Sequence, residues 1–505
     1  MARKNLNKLA SLRLFLLYSF PVALYFSYYP LIPLGSNASM NFELSLPLIW
    51  LFLFSLLSLK DFYLYLKSLP KTLKSLSFSK VPTFFFSVFL FSLYFSLSIL
   101  WSPNKLRGIL TAGILWCILI SLLGVVSLFK SGSIKTSLLK KIFLLSSVFV
   151  CLICWLQCFL DVFGVPRETT LLCLGCTSRI FGFPHPSGFA IEPQFMGNLL
   201  LAPTFYALYL FLTEQNLKNR TLKSLPTLLF LFSSTLFLTF SRGAIYAFGV
   251  GFLFFVGYNL IKKLISLKSL LRPTALLVLA FLFTLSFQGI FSELSSTNDT
   301  FSSGVAKSLN QLSLGLIDFR EKPLDSETPD SVSTEESAEE PTEKTDLPED
   351  NTSPEETENL SVFDGYVAES TNFRLSLNVS ALSASLDSPL NFFFGYGLGS
   401  AGTVLYEKSF TSHPKEIVQN EYFSLLLETG LLGILLFLLV IVVFFTTIIK
   451  TSPTPLAKPF LFSLTLAYLI TLSFFSGFPN ALHLYLLPPL FLFSFQIRTY
   501  RKLKS

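Results

Sequence analysis

Three charged side chains stand where long apolar stretches of the sequence begin or end. Arg179 and Glu192 flank the segment RIFGFPHPSGFAIEP, and Arg242 lies in TFSRGAIYAFG, a short connection between two apolar stretches. Charges at membrane depth are costly, so interfacial snorkelling and a structural ion pair are the alternatives to a functional role. Arg242 is explained least well by these alternatives, because a tight turn there needs only a small polar residue such as Ser or Asn.

A further charge of this kind is Arg374, in the segment NFRLSL. Guanidinium groups bind phosphate oxygens through two parallel hydrogen bonds. We therefore interpret Arg179, Arg242 and Arg374 as parts of a cationic site that binds a phosphate or diphosphate group at a membrane surface. A lipid-linked diphosphate fits this chemistry.

Polar residues also precede a long apolar stretch in VQNEYFSLLLETGLLG, where Gln419, Asn420, Glu421 and Tyr422 come directly before it. Glu428 lies within the apolar stretch, seven residues after Glu421 and so about two helical turns deeper on the same face. A polar cap with an aromatic belt residue is the structural alternative for the first four. An acid inside a membrane helix is a functional hypothesis by default, although a neighbouring polar group can also satisfy it.

The composition is that of a polytopic membrane protein. Hydrophobic residues make up 51% of the 505 positions, charged residues only 14%, and Phe alone occurs 57 times. A hydrocarbon core of ~30 Å needs about 20 mostly apolar residues per helix, which predicts an all-α fold with about twelve spans. The predicted spans are 12–29, 44–59, 82–101, 108–129, 139–162, 194–213, 224–240, 244–261, 272–291, 423–449, 459–476 and 479–496.

The distribution of Lys and Arg predicts the orientation. With the N-terminus inside, 26 of the 38 basic residues fall in the tails and loops of that side, and inside loops carry such an excess. Both termini are therefore predicted to be cytoplasmic. The first apolar run has no obvious cleavage site and is expected to be a retained span.

A large extracytoplasmic loop is predicted between spans 9 and 10, at 292–422, after a membrane region at 1–291 and before another at 423–505. Its segment 318–358 contains 16 of the 31 acidic residues of the chain and few apolar ones. Such a composition predicts disorder. The acidic insert is open to two interpretations, a spacer or partner-binding tail and a tolerated insertion.

The later part of this loop, about 370–422, has the signals of a folded segment. A helical apolar period runs from Phe373 to Leu386, and a glycine-rich turn, GYGLGSAG, follows at 395–402. Glycine permits positive φ and close backbone approach. No strand and helix of a dinucleotide-binding unit surround this turn.

The cysteines give little indication of a metal. Cys173 and Cys176 lie in a predicted outer loop, where a local disulfide is possible. A zinc site needs two more ligands, and only His185 is near in sequence. We expect no metal, no cofactor and no nucleic-acid partner.

Four motifs follow one another along the chain, and their order is used to compare it with known families: TFSRGA, NFRLSL, NFFFGYGLGSAG and QNEYFSLLLETGLLG. From about Arg179 to Leu439 the chain resembles the O-antigen ligase and polymerase superfamily of bacterial membrane glycosyltransferases. The resemblance implies transfer of a polyprenyl-diphosphate-linked glycan to a sugar hydroxyl of a glycan or glycolipid acceptor, without a nucleotide sugar or metal. It also implies that Arg242 and Arg374 hold the donor diphosphate.

One position departs from the ligases. They place a His directly before the Asn of this last motif, whereas Gln419 stands there in this sequence. An amide cannot take a proton from an acceptor hydroxyl at neutral pH. Glu421, Glu428 and His413 are the candidate bases, and a polymerase-like mechanism without the His is the alternative.

These observations predict a glycosyltransferase at the outer face of a bacterial cytoplasmic membrane, acting in O-antigen or other surface polysaccharide assembly as ligase or polymerase. The alternative is a transporter or flippase of a lipid-linked glycan or a small anionic solute, but its ionisable groups would lie near the bilayer midplane. The candidate catalytic residues are Arg242, Arg374, Glu421 and Glu428, and the candidate substrate-binding residues are Arg179, Glu192, Gln419, Asn420 and Tyr422.

Overall fold

The structure is a computed structural model of the chain. It describes residues 2–27, 31–36, 41–74, 81–162, 185–190, 192–214, 224–295, 300–313, 359–452, 454–476 and 481–502.

The described residues form a bundle of α-helices. The helices are α1 (Ala2–Ala23), α2 (Leu46–Leu57), α3 (Leu59–Lys74), α4 (Val81–Ser98), α5 (Lys105–Lys130), α6 (Thr136–Val162), α7 (Pro193–Glu214), α8 (Leu225–Leu238), α9 (Arg242–Ile261), α10 (Leu267–Ser295), α11 (Phe301–Leu312), α12 (Asn359–Ser385), α13 (Pro389–Phe394), α14 (Ala401–Glu407), α15 (Glu421–Thr451), α16 (Ala457–Thr471) and α17 (Leu482–Lys502).

A small sheet adds to the predicted all-α fold. Strands β1 (Leu31–Ser36) and β2 (Asn41–Ser45) form an antiparallel hairpin between α1 and α2. Leu31 pairs with Ser45, and the register shifts between Pro33 and Gly35. Strands this short carry a much weaker sequence signal than the adjoining apolar runs, and for this reason the hairpin was not predicted.

Each of the twelve predicted apolar runs overlaps a helix of the described residues, although several bounds differ, as for the run 12–29, where α1 ends at Ala23. Seven helices of the described residues are long and apolar enough to cross a membrane: α4, with the short 3₁₀ turn that follows it, α5, α6, α7, α9, α10 and α15. Helices α2 and α3 meet that criterion only as a pair, bent by 59° where they join, and α8, α16 and α17 are shorter apolar helices. The protein is a multi-pass helical membrane protein, and the span count of twelve stays a prediction.

Helix α7 lies at the centre of the bundle. In its apolar window, 94% of the residues are buried, and it packs against α8, α9 and α16. The side chains of Phe205 and Tyr206 are fully buried. Gly251 of α9 permits this packing, because a Cβ atom there would lie 2.7 Å from the Phe205 ring. The central helix therefore fixes the positions of the helices around it.

The described part of the predicted outer loop forms helices α11 to α14. Helix α12 confirms the helix predicted from Phe373 to Leu386, and α13 begins at Pro389, just before the glycine-rich turn. A second, small core joins α12, α14 and α15; its buried side chains are Leu377, Ala381, Ala384, Ala401, Val404, Leu405, Val418 and Leu427. The acidic insert 318–358 lies outside the described residues.

Candidate functional site

The start of α15 is tied to the chain that follows α16. The Asn420 Nδ2 group donates a hydrogen bond of 2.9 Å to the Ser473 carbonyl, and the Glu421 N–H donates one of 2.8 Å to the Leu472 carbonyl. The Ser476 hydroxyl donates to Glu421 Oε2 at 3.0 Å. These bonds hold the polar motif against the end of α16.

Asn420 also caps α15. Its Oδ1 atom accepts hydrogen bonds from the N–H groups of Tyr422, at 3.0 Å, and Phe423, at 3.3 Å. A helix leaves its first N–H groups unpaired, and an Asn side chain at this position satisfies two of them. The Tyr422 hydroxyl in turn donates to the Leu469 carbonyl at 2.7 Å. Both residues, predicted to bind substrate, thus have structural partners within the protein.

Arg242 is the first residue of α9, in a sharply turned segment. Phe240 has a positive φ of 47°, and the hydroxyl of Ser241 caps the helix by accepting from the Ala244 N–H at 3.3 Å. The His185 ring stacks on the Phe240 ring, with centroids 5.4 Å apart. The HPSG segment therefore supports the turn that positions Arg242, which is itself partly exposed.

The turn at Arg242 lies beside the segment that follows α16. A Cβ atom added to Gly243 would lie 2.9 Å from Phe474 Cβ, and Gln194, near the start of α7, donates a hydrogen bond of 2.9 Å to the Phe474 carbonyl. Because 472–476 also holds Asn420 and Glu421, this short segment joins the Arg242 turn to the polar motif. The structure thus brings together two motifs that lie far apart in sequence.

The structure also describes Glu192 and Arg374, two more of the residues predicted to form the site. Glu192 is exposed just before α7, and its carbonyl accepts from the Met196 N–H at 3.3 Å. Arg374 is partly exposed on α12, one turn before Leu377 of the second core, on a helix that packs against α14 and α15. Arg179, like Cys173 and Cys176, lies outside the described residues.

Glu428 is enclosed by the glycine-rich turn. It is 8% exposed, and its carboxylate accepts hydrogen bonds from the N–H groups of Gly399, at 2.9 Å, and Ala401, at 3.2 Å. Arg107, at the start of α5, is near enough to interact with it electrostatically. A buried carboxylate requires such partners, because water is not there to solvate it.

The same turn covers a break in α15. Gly430 has a φ of 66°, which interrupts the helical hydrogen bonding. The carbonyl of Leu427 accepts instead from the Tyr396 N–H at 2.9 Å, and the carbonyl of Glu428 accepts from the Gly397 N–H at 2.7 Å. Free backbone groups inside a membrane helix need internal partners. The glycine-rich turn supplies these partners.

An open cavity lies just before the polar motif. Its volume is about 450 Å³, and its lining residues are His413, Lys415, Glu416, Ile417 and Gln419. The cavity brings together an imidazole, an ammonium, a carboxylate and an amide, all of which form hydrogen bonds with polar ligands. It also places His413 and Gln419, six positions apart in the sequence, on one surface.

Leu472, Ser473 and Ser476 hold the polar motif in place, and sequence reasoning missed them. They fell at the end of a predicted span, 459–476, whereas α16 ends at Thr471. The only signal is the run SFFSGFP, since Ser, Gly and Pro commonly end helices. Among the described residues, no three His, Cys, Asp or Glu side chains form a group that could hold a metal ion.

The fold and the site define a multi-pass helical membrane protein that gathers an arginine, a polar helix start and an open polar cavity at one end of the bundle. Residues 227–438 match the family model described as O-Antigen ligase. This match confirms the resemblance to the O-antigen ligase and polymerase superfamily that the four motifs indicate. No curated protein matches the sequence.

Proposed function

We propose that this protein is a membrane glycosyltransferase that transfers a polyprenyl-diphosphate-linked glycan to a sugar hydroxyl at the outer face of a bacterial cytoplasmic membrane. The observation that carries this proposal is the O-antigen ligase match over 227–438. That segment contains Arg242, Arg374 and the polar motif at the start of α15. The product would be O-antigen or another surface polysaccharide.

In this proposal Arg242 and Arg374 bind the diphosphate of the donor. Their guanidinium groups neutralise the charge that develops on the leaving phosphate oxygens as the bond to the sugar breaks. Fixed cations act most strongly where charge grows in the transition state. Arg179 and Glu192, at the two ends of the segment that precedes α7, bind the donor headgroup or the first sugar.

The polar motif positions the acceptor side of the reaction. Gln419 faces the open cavity, whereas Asn420 and Tyr422 contribute through the hydrogen bonds that fix the helix start. Glu421 and Glu428 are both buried, at 3% and 8% exposure, and each already accepts hydrogen bonds from the protein. We therefore assign them positioning roles, in place of the catalytic roles that the sequence predicted.

A transporter or flippase is the competing function, and the broken helix α15 is a feature that it would share. In transporters such a break exposes backbone groups or a helix end to a substrate path. Here the Leu427 and Glu428 carbonyls at the break accept from Tyr396 and Gly397. This closed arrangement favours the enzyme.

The test uses purified protein with lipid-linked glycan and the glycolipid fraction, both extracted from cells in which the gene has been deleted, so that either acceptor class is present. The wild-type protein should release polyprenyl diphosphate from this donor. Arg242→Lys and Arg374→Lys should each slow the release by ~10²-fold, because one ammonium cannot reproduce the bidentate fork. Arg272→Lys, an exposed arginine on α10, is the matched control and should keep the wild-type rate. Near-normal rates for both site variants would contradict the proposal.

The choice between polymerase and ligase needs intact cells. Loss of a polymerase leaves single repeat units on the cell surface, whereas loss of a ligase leaves long chains that are not attached. Surface glycan length and linkage in the deletion strain therefore identify the acceptor class. An unchanged glycan profile would exclude both activities.

The proposed orientation has its own test. Ser412, an exposed residue beside the cavity, should be labelled from outside intact cells after Ser412→Cys substitution, and Ser133, between α5 and α6, should not. The excess of basic residues on the Ser133 side motivates this expectation. Labelling of the Ser133→Cys variant from outside would overturn it.

A further inference from the structure

We propose that the open cavity next to Gln419 binds the acceptor sugar and that His413 is the general base of the transfer. The inference rests on the proposed function and adds the acceptor site to it. It starts from the one place in the described structure where an exposed imidazole and the motif residue Gln419 line the same cavity.

The chain holds His413 in a defined turn. Its carbonyl accepts hydrogen bonds from the Glu416 N–H, at 3.3 Å, and the Thr411 hydroxyl, at 3.3 Å. Gly402 of α14 packs against this turn so closely that an added Cβ atom would lie 2.5 Å from the Pro414 carbonyl oxygen. The imidazole is exposed while the backbone that carries it is fixed.

The far side of the cavity is fixed as well. Val418 is fully buried in the second core, and Asn420 is bonded to the Ser473 carbonyl. Gln419 lies between these two anchored residues, so its backbone is held in the cavity wall. A general base and an orienting amide need this kind of fixed separation to act on one hydroxyl.

The two other candidate bases, Glu421 and Glu428, and the further imidazole of His185 are less suited to the task. Glu428 accepts from two backbone N–H groups, and Glu421 accepts from the Ser476 hydroxyl. His185 is 3% exposed, and burial lowers the pKa of its imidazole to about 3. Each of these side chains is buried, whereas His413 lines a cavity that a ligand can enter.

The lining suits one end of a sugar chain. A volume of about 450 Å³ is within the range of ligand sites. The Glu416 carboxylate and the Gln419 amide can accept and donate hydrogen bonds to ring hydroxyls, and Ile417 offers an apolar surface to the ring face. Lys415 and Glu416 are the charged groups that line the cavity with His413, and the contact from α14 is made by Gly402, which has no side chain to titrate.

The chemical step balances within this site. The acceptor hydroxyl oxygen forms a bond to the anomeric carbon of the donor sugar, and the bond from that carbon to the phosphate oxygen breaks. The electron pair of the broken bond leaves with polyprenyl diphosphate. The hydroxyl proton passes to the unprotonated nitrogen of His413 and is later lost to water.

The test is a residue swap in the same release assay, with lipid-linked glycan as donor and with both that glycan and the glycolipid fraction of the deletion strain present as acceptors. His413→Gln should lower kcat by ~10²-fold or more, as for other lost general bases, with little change in KM. Adding Gln419→His to this variant should restore at least a tenth of the wild-type kcat, because the second imidazole faces the same cavity. Ser412→Ala is the control and should behave as the wild type.

The pH profile separates a base from a structural residue. The profile of kcat against pH should differ in shape between the wild type and His413→Gln, whereas loss of a merely structural residue would lower kcat by the same factor at every pH. A wild-type kcat in His413→Gln would overturn the assignment, and so would a double variant no more active than the single one. If the wild-type protein itself released no polyprenyl diphosphate, the proposed function would be wrong instead.

Discussion

Glu428 and His413 lie on either side of the start of α15, and their surroundings differ in every respect. Glu428 is buried, and both of its carboxylate oxygens accept backbone hydrogen bonds. His413 is exposed and lines an open cavity. The charge that looks most unusual in the sequence is thus the one that the fold has fully satisfied.

The surroundings of Glu428, unlike those of His413, show how a broken membrane helix is stabilised. A break at Gly430 frees backbone carbonyls, and the glycine-rich turn must approach closely to pair with them. Glu428 anchors that turn through Gly399 and Ala401. Buried polar groups are retained when they are bonded, whereas a group that performs proton transfer must stay open to its substrate. The two regions therefore divide structural and chemical tasks.

The largest expected effect comes from adding a methyl group at Gly430, where the break in α15 packs against the chain just before the glycine-rich turn. Gly430→Ala combines a positive φ with a Cβ atom that would lie 2.5 Å from the Phe393 carbonyl carbon. The strain should cost on the order of 3 kcal/mol and lower the thermal unfolding temperature in detergent. Gly113→Ala, where nothing lies within 4 Å of the added Cβ, is the control and should be neutral or slightly stabilising. Equal unfolding temperatures for the two variants would contradict the described packing.

Glu428→Gln should have the next largest effect. The amide keeps one acceptor but presents a donor to one of the N–H groups that the carboxylate now binds. Leaving such a buried group unpaired costs about 1–3 kcal/mol. Activity should fall only in proportion to the folded fraction, measured by size-exclusion chromatography beside the release assay. If the variant were stable but its rate were lower by ~10²-fold or more, as for a lost general base, Glu428 would be catalytic after all.

Asn420→Ala tests the residue that lies between the two regions. It removes the two cap bonds to α15 and the bond to the Ser473 carbonyl. Loss of such a cap costs about 0.5–2 kcal/mol, and the unfolding temperature should fall by a correspondingly smaller amount than in Gly430→Ala. Asn420→Asp keeps the acceptor oxygen of the cap and should recover part of the loss. An Asp variant no more stable than the Ala variant would show that the cap contributes little.

The smallest effect concerns an exposed ion pair on the outer side of the glycine-rich turn. Asp387 accepts hydrogen bonds from Lys408 and from the Tyr396 hydroxyl. The bond from Lys408 lowers the pKa of Asp387 below its usual 3.8. The pair therefore stabilises the fold above about pH 4, and this contribution is lost as the pH falls through the lowered pKa of Asp387.

Unfolding temperatures between pH 6 and pH 3 would measure this contribution. The wild type should lose slightly more stability over that range than Asp387→Asn, by less than about 1 kcal/mol for an exposed pair. If the variant showed the same acid sensitivity as the wild type, the ion pair would make no measurable contribution to stability.

Much of the architecture could be predicted from the sequence. The apolar runs located the helices, since a window of about 20 residues averages over local irregularities. The helix that begins near Phe373 was also predictable, because its apolar residues recur at helical spacing. The motif order was enough to recognise the family, because each motif keeps its place relative to the apolar runs.

The assignment of roles was less predictable. Glu428 was interpreted as a candidate catalyst because nothing in its local sequence shows that Gly399 and Ala401, almost 30 positions earlier, donate to it. The bond from the Asn420 side chain to the Ser473 carbonyl and the bond from the Glu421 N–H to the Leu472 carbonyl likewise join residues about 50 positions apart. Sequence periodicity reports which face is apolar, but it does not report which carbonyl groups a helix end leaves free.

Arg242 and Arg374 are proposed to bind one donor diphosphate beside the start of α15. An experimental structure with the bound polyprenyl-diphosphate-linked glycan tests this most directly. We predict that both guanidinium groups lie at hydrogen-bond distance, about 2.7–2.9 Å, from the diphosphate oxygens. A diphosphate bound away from both arginines, or guanidinium groups more than ~15 Å apart and so beyond the reach of one diphosphate, would contradict the account.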